Sequence, residues 1–142
     1  EGDHMYTNDA KIRVRYGETD QMGVVYHGNY YTWFEVGRSE FFNSLGYTYK
    51  ELEQEGIILP LTESYCEYIK PAKYFDDVII RTKVNTLKGI RITFGYEVIR
   101  EEDNVLLAKG KTTHAFVSNE LKPVRIKKVN KKVWDLLEGC VK

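Results

Sequence analysis

Residues 30–45, YYTWFEVGRSEFFNSL, decide how this chain folds. Apolar and aromatic side chains recur in them every three or four positions, which is the spacing of one face of an α-helix. The stripe consists of Tyr30, Trp33, Phe34, Gly37, Phe41 and Leu45, and Tyr31, Val36 and Phe42 widen it. A helix with so little polar surface is expected to be surrounded by other elements.

The residues on either side set the limits of this helix. Asn29 is suited to cap its N-terminus, and Gly46 is suited to end it. A short strand is predicted over residues 11–16 before the helix, and residues 17–28 form a loop rich in Gly, Asp and Thr. A short polar helix over residues 49–55 follows.

Everything between residues 57 and 118 has the pattern of β-strands. Residues 78–87 and 90–100 predict a hairpin across Lys88-Gly89, because apolar side chains alternate strictly with others in the second segment. A further strand is predicted over residues 105–118. Its even-numbered positions include several small side chains, as a sheet requires where a helix lies close against it.

The order of elements predicts the fold class. A final amphipathic helix is expected over residues 128–138, and no repeat or linker divides the chain, so residues 6–142 are expected to form one domain. One long helix enclosed by one curved antiparallel sheet accounts best for the pattern, within the α+β class. Residues 1–5, EGDHM, are interpreted as a cloning scar, which leaves His4 without functional weight.

Charge and cysteine content narrow the function classes. The 142 residues carry 21 Lys plus Arg and 21 Asp plus Glu, which argues against a nucleic-acid binder held by an overall positive field. Cys66 and Cys140 lie too far apart for a metal knuckle, so we interpret both as reduced thiols of a cytoplasmic protein. No metal site is expected from the three histidines, and no apolar stretch approaches the roughly 18 residues of a membrane span.

The chemistry is concentrated in residues 17–30, GETDQMGVVYHGNY. Asp20 and His27 stand there in a glycine-rich segment directly before the predicted helix. Free backbone N–H groups and the positive end of the helix dipole can stabilise an oxyanion at such a place, and a carboxylate opposite them suits attack on a carbonyl. The combination indicates acyl transfer to water. From the residues alone, Asp20 as the cap of a turn and His27 as an ordinary helix-start residue remain open.

Two motifs resemble a known family. Residues 15–30, followed by Trp33-Phe34-Glu35 and Arg38, resemble the signature of hotdog-fold acyl-CoA thioesterases of the 4-hydroxybenzoyl-CoA thioesterase type. Residues 69–77, IKPAKYFDD, resemble the segment that enters the central strands of that family. The similarity in element order extends from about residue 11 to residue 117.

This resemblance implies a role for each matching residue. Asp20 matches the catalytic aspartate, which acts as nucleophile or general base on the thioester carbonyl. His27 matches the residue whose backbone N–H polarises the carbonyl oxygen, and participation of its imidazole is left open. The remaining positions of the implied oxyanion and substrate-binding set are Tyr26, Gly28, Asn29 and Tyr30.

The resemblance also implies the partners. The substrate would be an acyl-CoA or acyl-carrier-protein thioester, no cofactor would be needed, and coenzyme A would be part of the substrate. The protein would be a homodimer or homotetramer that pairs sheets edge to edge, with each active site at a subunit boundary. No nucleic acid and no membrane span are expected.

Other residues carry weaker signals. Glu35 matches the position of a helix glutamate that another hotdog branch uses, but Arg38 lies within ion-pair reach, so we interpret Glu35 as structural. His114 is interpreted as a hydrogen-bonded core histidine and Cys66 as inert. A basic segment could meet coenzyme A phosphates, although a solvated face explains it better. It consists of Lys122, Arg125, Lys127, Lys128, Lys131 and Lys132.

Two other functions stay open. A hotdog acyl-thioester dehydratase or hydratase would need an acid–base pair at the α and β carbons of the acyl group, which an acid loop before a helix fits less well. A non-catalytic module that binds acyl-CoA or an acyl-carrier protein would hold the thioester without consuming it. Neither explains why an acid stands opposite a helix N-terminus.

Overall fold

The computed structural model describes residues 5–141, so the first four residues of the interpreted cloning scar lie outside it. The helices are α1 (Asn29–Ser44), α2 (Tyr49–Gln54), α3 (Ile126–Val129) and α4 (Lys131–Val141). The strands are β1 (Thr7–Arg13), β2 (Leu61–Tyr68), β3 (Asp77–Lys88), β4 (Arg91–Arg100) and β5 (Val105–Ala115).

The five strands form one antiparallel sheet in the order β1-β3-β4-β5-β2. The long central strands β3, β4 and β5 follow one another along the chain, as the alternating pattern predicts. β1 and β2 form the two edges. The α+β prediction of one long helix against one antiparallel sheet is therefore confirmed.

The strand boundaries differ from the sequence prediction at several places, and β5, for example, ends at Ala115 although the strand was predicted to reach residue 118. β1 begins and ends earlier than predicted, and Tyr16 starts a 3₁₀ turn with its side chain 76% exposed. The β3–β4 turn lies one residue later, because Lys88 pairs with Arg91 and leaves Gly89 and Ile90 to make the turn. Residues 69–76 are not a strand. Pro71 lies in that segment and has no N–H to donate to a ladder.

Helix α1 packs against β1 and β3 through its aromatic stripe, with Trp33, Phe34 and Phe41 at most 1% exposed. The prediction that small residues line the sheet beneath the helix is confirmed at Gly110, where a Cβ atom would lie 2.4 Å from the Phe34 ring. Gly37 serves the same purpose on the helix, since a Cβ there would lie 2.6 Å from Thr82 Oγ1.

The sheet of one chain does not surround α1 completely. Tyr31 and Val36 both remain 37% exposed, and every residue of β2 is exposed except the half-buried Cys66. The sheet of a single chain therefore encloses α1 only in part. One side of α1 and the neighbouring edge strand are left open.

The predicted C-terminal helix is two helices. Asn130 interrupts it, and its Oδ1 accepts a hydrogen bond from the Val133 N–H, which caps the start of α4. Val133 and Leu137 are buried as predicted, whereas Val129 is 55% exposed. Within residues 5–141, no helix has the length and apolar character needed to cross a membrane.

Candidate active site

The loop before α1 is held from inside the protein by the carboxylate of Glu18, which is 6% exposed. It accepts hydrogen bonds from the backbone N–H of Arg15 (2.8 Å), from Arg15 Nη2 (3.1 Å) and from the indole N–H of Trp33 (3.1 Å). Burial acts to raise the pKa of Glu18, but these donors outweigh it and hold that pKa below its usual range. The carboxylate therefore ties the loop to the buried face of α1.

The backbone carbonyl of Glu18 makes a second connection to the helix start. It accepts from the Tyr26 N–H and from Asn29 Nδ2, both at 2.8 Å. The side chain of Asn29 therefore does not cap α1 as predicted, and Gly28 occupies the N-cap position instead. Sequence order did not reveal this, because the competing acceptor comes from a residue eleven positions earlier.

Asp20, two residues after Glu18, lies in a tight turn of the same loop. Its N–H donates to the Val24 carbonyl (2.8 Å), its carbonyl accepts from the Gly23 N–H (3.0 Å), and its Oδ1 accepts from the Met22 N–H (2.8 Å). Gly23 has a φ of +80°, a conformation that favours glycine. Among the described residues, Oδ2 of Asp20 has no hydrogen-bond partner, so one carboxylate oxygen is left for chemistry.

Two backbone N–H groups are available at the start of α1. The N–H groups of Asn29, Tyr30 and Tyr31 are all taken up within the first turn. Those of His27 and Gly28 donate to no acceptor within residues 5–141. Unpaired N–H groups at a helix N-terminus, together with the helix dipole, favour negative charge on a bound group.

A cavity of about 280 Å³ connects the acid loop with the helix start. Its lining residues are Asp20, Met22, Val24, Val25, His27, Tyr30, Tyr68, Ile69, Lys70 and Pro71. Three elements meet there: the acid loop, the first turn of α1, and the end of β2 with the segment that follows it. The structure thus brings Asp20, His27 and Tyr30 of the predicted site into one cavity.

Of the predicted residues, Tyr26, Gly28 and Asn29 are not among those that line the cavity. Tyr26 is half exposed, and its ring lies 4.4 Å from the His27 ring and so close to Gly28 that a Cβ atom there would be 2.8 Å away. Tyr30 is buried, and burial raises the pKa of its hydroxyl. Asn29 is occupied with the Glu18 carbonyl.

Sequence reasoning missed two residues of this region. Sequence reasoning gave no role to Glu18 or to Tyr68, although the Tyr68 hydroxyl donates to the His27 carbonyl at 3.2 Å. Tyr68 directly precedes the motif at residues 69–77, and its position beside that motif was the available signal. Forty-one residues separate Tyr68 from His27, so spacing could not pair them.

The predicted ion pair between Glu35 and Arg38 is wrong. Glu35 is exposed on the open side of α1, and the guanidinium of Arg38 donates instead to the hydroxyls of Tyr49 (3.0 Å) and Tyr96 (3.1 Å). The interpretation of Glu35 as a buried carboxylate held by a cation fails with it. Helical spacing permits a pair, but it cannot show which other elements offer partners.

His114 is confirmed as a hydrogen-bonded core histidine. It is 1% exposed, and its Nδ1 lies 3.1 Å from the Leu59 carbonyl and its Nε2 2.9 Å from Thr112 Oγ1. Burial, and then the charge of Arg38, lower its pKa to about 4. The ring is therefore neutral near pH 7, and it lies outside the residues that line the Asp20 cavity.

The cysteines and the basic segment are separate from this cavity. Cys66 and Cys140 are free thiols, and burial raises the pKa of both, that of Cys140 to about 11. The cations of the basic segment are exposed on and before α3 and α4. Lys132 lies over the Tyr47 ring, beyond the C-terminal end of α1, whereas Asp20 lies at the N-terminal end.

This fold and the enzymes that share it define a class, the hotdog-fold thioester hydrolases. The chain belongs to the Thioesterase-like superfamily, whose pattern matches residues 14–133. The expected family and fold are therefore confirmed.

Two relatives show how close the match is. The chain is 32% identical over 119 residues to the acyl-CoA thioesterase YbgC of Haemophilus influenzae, covering 82% of this chain and 86% of the relative. A DHNA-CoA thioesterase from Staphylococcus aureus superposes with a TM-score of 0.89 at 34% identity, covering 94% of this chain and 89% of the other.

A more distant relative is named for thioesters of an acyl carrier protein instead of coenzyme A. The acyl-acyl carrier protein thioesterase ATL3 of Arabidopsis thaliana is 25% identical over 119 residues, which cover 84% of this chain and 63% of the relative. Thioesters of coenzyme A and of carrier proteins therefore both occur among the named substrates of similar proteins.

Proposed function

We propose that this protein is an acyl-CoA thioesterase that hydrolyses an acyl thioester to a carboxylic acid and coenzyme A. The observation that carries the proposal is the shared cavity. It is lined by Asp20, which has a carboxylate oxygen without a hydrogen-bond partner among the described residues, and by His27 at a helix start with two unused N–H groups. Relatives named acyl-CoA thioesterases support the same reaction.

The N–H groups of His27 and Gly28 are proposed as the donors to the thioester carbonyl oxygen. That oxygen gains negative charge when the carbonyl carbon is attacked, and preoriented donors stabilise it most at that point. The dipole of α1, which is 16 residues long, acts in the same direction. Losing one such donor costs roughly 10²–10³ in turnover in other enzymes.

Asp20 is proposed to deliver the attack. As a general base, its free oxygen takes a proton from water, the water oxygen bonds to the carbonyl carbon, the C–S bond breaks and the proton passes to the leaving thiolate. As a nucleophile, the same oxygen bonds to the carbonyl carbon and the C–S bond breaks to release the thiolate. Water then hydrolyses the resulting mixed anhydride, which yields the carboxylic acid, restores the Asp20 carboxylate and supplies a proton for the thiolate. The hydrogen bond from Met22 holds the carboxylate in place for either route.

The other predicted site residues receive more limited roles. Tyr30 is proposed to form an aromatic wall of the cavity, and Tyr26 to shape the helix start, because its ring lies so close to Gly28 that a larger residue there would disturb it. Asn29 is proposed as an anchor, because its side chain is already bonded to Glu18. The ring of His27 is exposed beside the cavity and is free to meet the leaving thiol.

We also propose that two chains pair through β2. This strand pairs with β5 on one side and forms the edge of the sheet on the other, and Leu61, Tyr65 and Tyr68 on it are about half exposed. Exposed edge strands normally need a cover. Pairing there would also cover the open side of α1 and place the cavity near a subunit boundary. The reaction is proposed to use no cofactor, since water and the residues above supply the chemistry.

Thiol release from a panel of aryl- and alkyl-CoA esters tests this proposal. Wild-type protein is expected to release coenzyme A from at least one ester, and Asp20→Asn is expected to lose at least 100-fold in kcat while keeping its fold and oligomeric state. Asp135→Asn, an exposed position on α4, is the matched control and should match the wild type. Near wild-type turnover in Asp20→Asn would overturn the assignment.

The same experiment separates the two alternatives. A dehydratase or hydratase would change a 3-hydroxyacyl or enoyl group and release no thiol from a saturated acyl-CoA. A binding module would retain the intact thioester, and Asp20→Ala would leave that binding unchanged. Parallel assays with an acyl-carrier-protein thioester would show which of the two carriers named among the relatives this protein uses.

A further inference from the structure

The phenol of Tyr68 reaches the start of α1 from a different part of the chain. Its hydroxyl lies 3.2 Å from the backbone carbonyl oxygen of His27. A carbonyl oxygen only accepts, so the tyrosine is the donor. The same carbonyl also accepts from the Tyr30 N–H at 3.2 Å, so both of its lone-pair directions are in use.

This contact orients the peptide group between His27 and Gly28. A peptide is planar and trans, so the direction of the His27 C=O fixes the direction of the Gly28 N–H. The Gly28 N–H is one of the two unused donors at the helix start. Holding the carbonyl therefore also aims the donor.

The Tyr68 ring is about half exposed and has aromatic neighbours on the side that faces the helix start. It meets the Tyr30 ring edge-on at 5.1 Å and the His27 ring at 6.1 Å, and it lines the same cavity as Asp20. Burial and then the neighbouring Cys66 raise the pKa of Tyr68, so the phenol keeps its proton.

We propose that Tyr68 is a positioning residue for the hydrolysis: its hydroxyl fixes the His27–Gly28 peptide and thereby the oxyanion donors. The assignment rests on the proposed thioesterase function. Because Tyr68 is the last residue of β2, this strand would take a direct part in the site. The orientation of the N–H groups at the start of α1 would then depend on β2 as well as on the helix itself.

Tyr68→Phe tests this assignment, because it removes one oxygen and keeps the ring. We expect kcat to fall about tenfold, the worth of one hydrogen bond, with KM and the unfolding temperature nearly unchanged. The amide resonance of Gly28 should also shift in a ¹H–¹⁵N spectrum. The control is Tyr74→Phe, a half-exposed tyrosine that lies outside β2 and does not line the cavity, and this variant should match the wild type in every measurement.

Each outcome has one meaning. A wild-type protein that releases no thiol overturns the proposed function before Tyr68 is tested. An active wild type with unchanged kcat and an unchanged Gly28 resonance in Tyr68→Phe overturns the positioning role alone. If the kcat of the wild type falls at alkaline pH and this fall is absent in Tyr68→Phe, the positioning role is overturned as well, because the phenol would then be transferring a proton itself. A fall in unfolding temperature with unchanged kcat would show a merely structural contact.

Discussion

The carboxylate of Glu18 and the indole N–H of Trp33 are joined by a 3.1 Å hydrogen bond inside the protein. Glu18 stands two residues before Asp20, and Trp33 lies one turn into α1. The bond therefore links the acid to the helix whose N-terminus would receive the oxyanion. It is a contact between the two halves of the proposed catalytic arrangement, made where solvent does not compete.

Glu18→Gln should weaken this link. The amide has only one accepting oxygen for the three donors of Arg15 and Trp33, and its NH₂ group must face one of them. We expect a loss of about 1–3 kcal/mol in the free energy of unfolding, read from urea titrations, together with a lower kcat. Glu40→Gln, on the exposed surface of α1, should change stability by less than about 0.5 kcal/mol. Equal behaviour of the two variants would refute the role of Glu18.

Gly110→Ala should destabilise the protein through overpacking. The added Cβ atom would lie 2.4 Å from the Phe34 ring and 2.8 Å from the Tyr65 carbonyl, so the helix and the strand would both have to shift. We expect a cost of about 1–3 kcal/mol in thermal or urea unfolding. Phe34→Leu in the same chain should recover part of that cost, because it removes one of the two obstacles.

Gly139→Ala provides the control for this substitution. A Cβ atom at Gly139 has no heavy atom within 4 Å, and the residue lies inside α4. Alanine is the better helix former by roughly 0.8–1 kcal/mol, so this variant should be more stable than the wild type. The same substitution would thus act with opposite sign at two glycines. A destabilised Gly139→Ala together with a neutral Gly110→Ala would contradict the packing argument.

The parts of the fold that depend on local periodicity could be predicted from the sequence. The small side chain at Gly110 pointed to a close helix because alternation along a strand is a property of neighbouring residues. The break at Asn130 was missed because its side chain caps α4 without interrupting the apolar spacing. The acid loop itself was found through its motif and its position before α1.

The parts that depend on distant contacts could not be predicted. Arg38 was assigned to Glu35 by spacing, yet Tyr49 and Tyr96 reach it from α2 and β4. Asn29 was predicted to cap α1, yet its side-chain amide donates to the Glu18 carbonyl instead. In each case the local partner was allowed by geometry, and a group brought in by the tertiary fold replaced it.

His114 should make the stability of this protein fall with acid. Arg38 only donates and the Leu59 carbonyl only accepts, so the hydrogen bonds run in one direction, from Arg38 through Tyr96 and Thr112 to a neutral His114. The pKa is about 4 in the folded chain and about 6.5 when unfolded, so the unfolded chain binds more protons between these values.

The contribution of His114 is therefore complete above pH 6.5 and is lost as the pH falls towards 4. Between pH 7 and pH 5 we expect the free energy of unfolding to drop by about 2 kcal/mol in urea titrations, before most carboxylates titrate. His114→Gln should lose this dependence, and His27→Gln, at an exposed histidine, should keep it. The imidazole signals of His114 in NMR spectra should stay constant from pH 8 to pH 5. A midpoint near 6.5 for those signals would show that the buried chain does not hold the ring neutral.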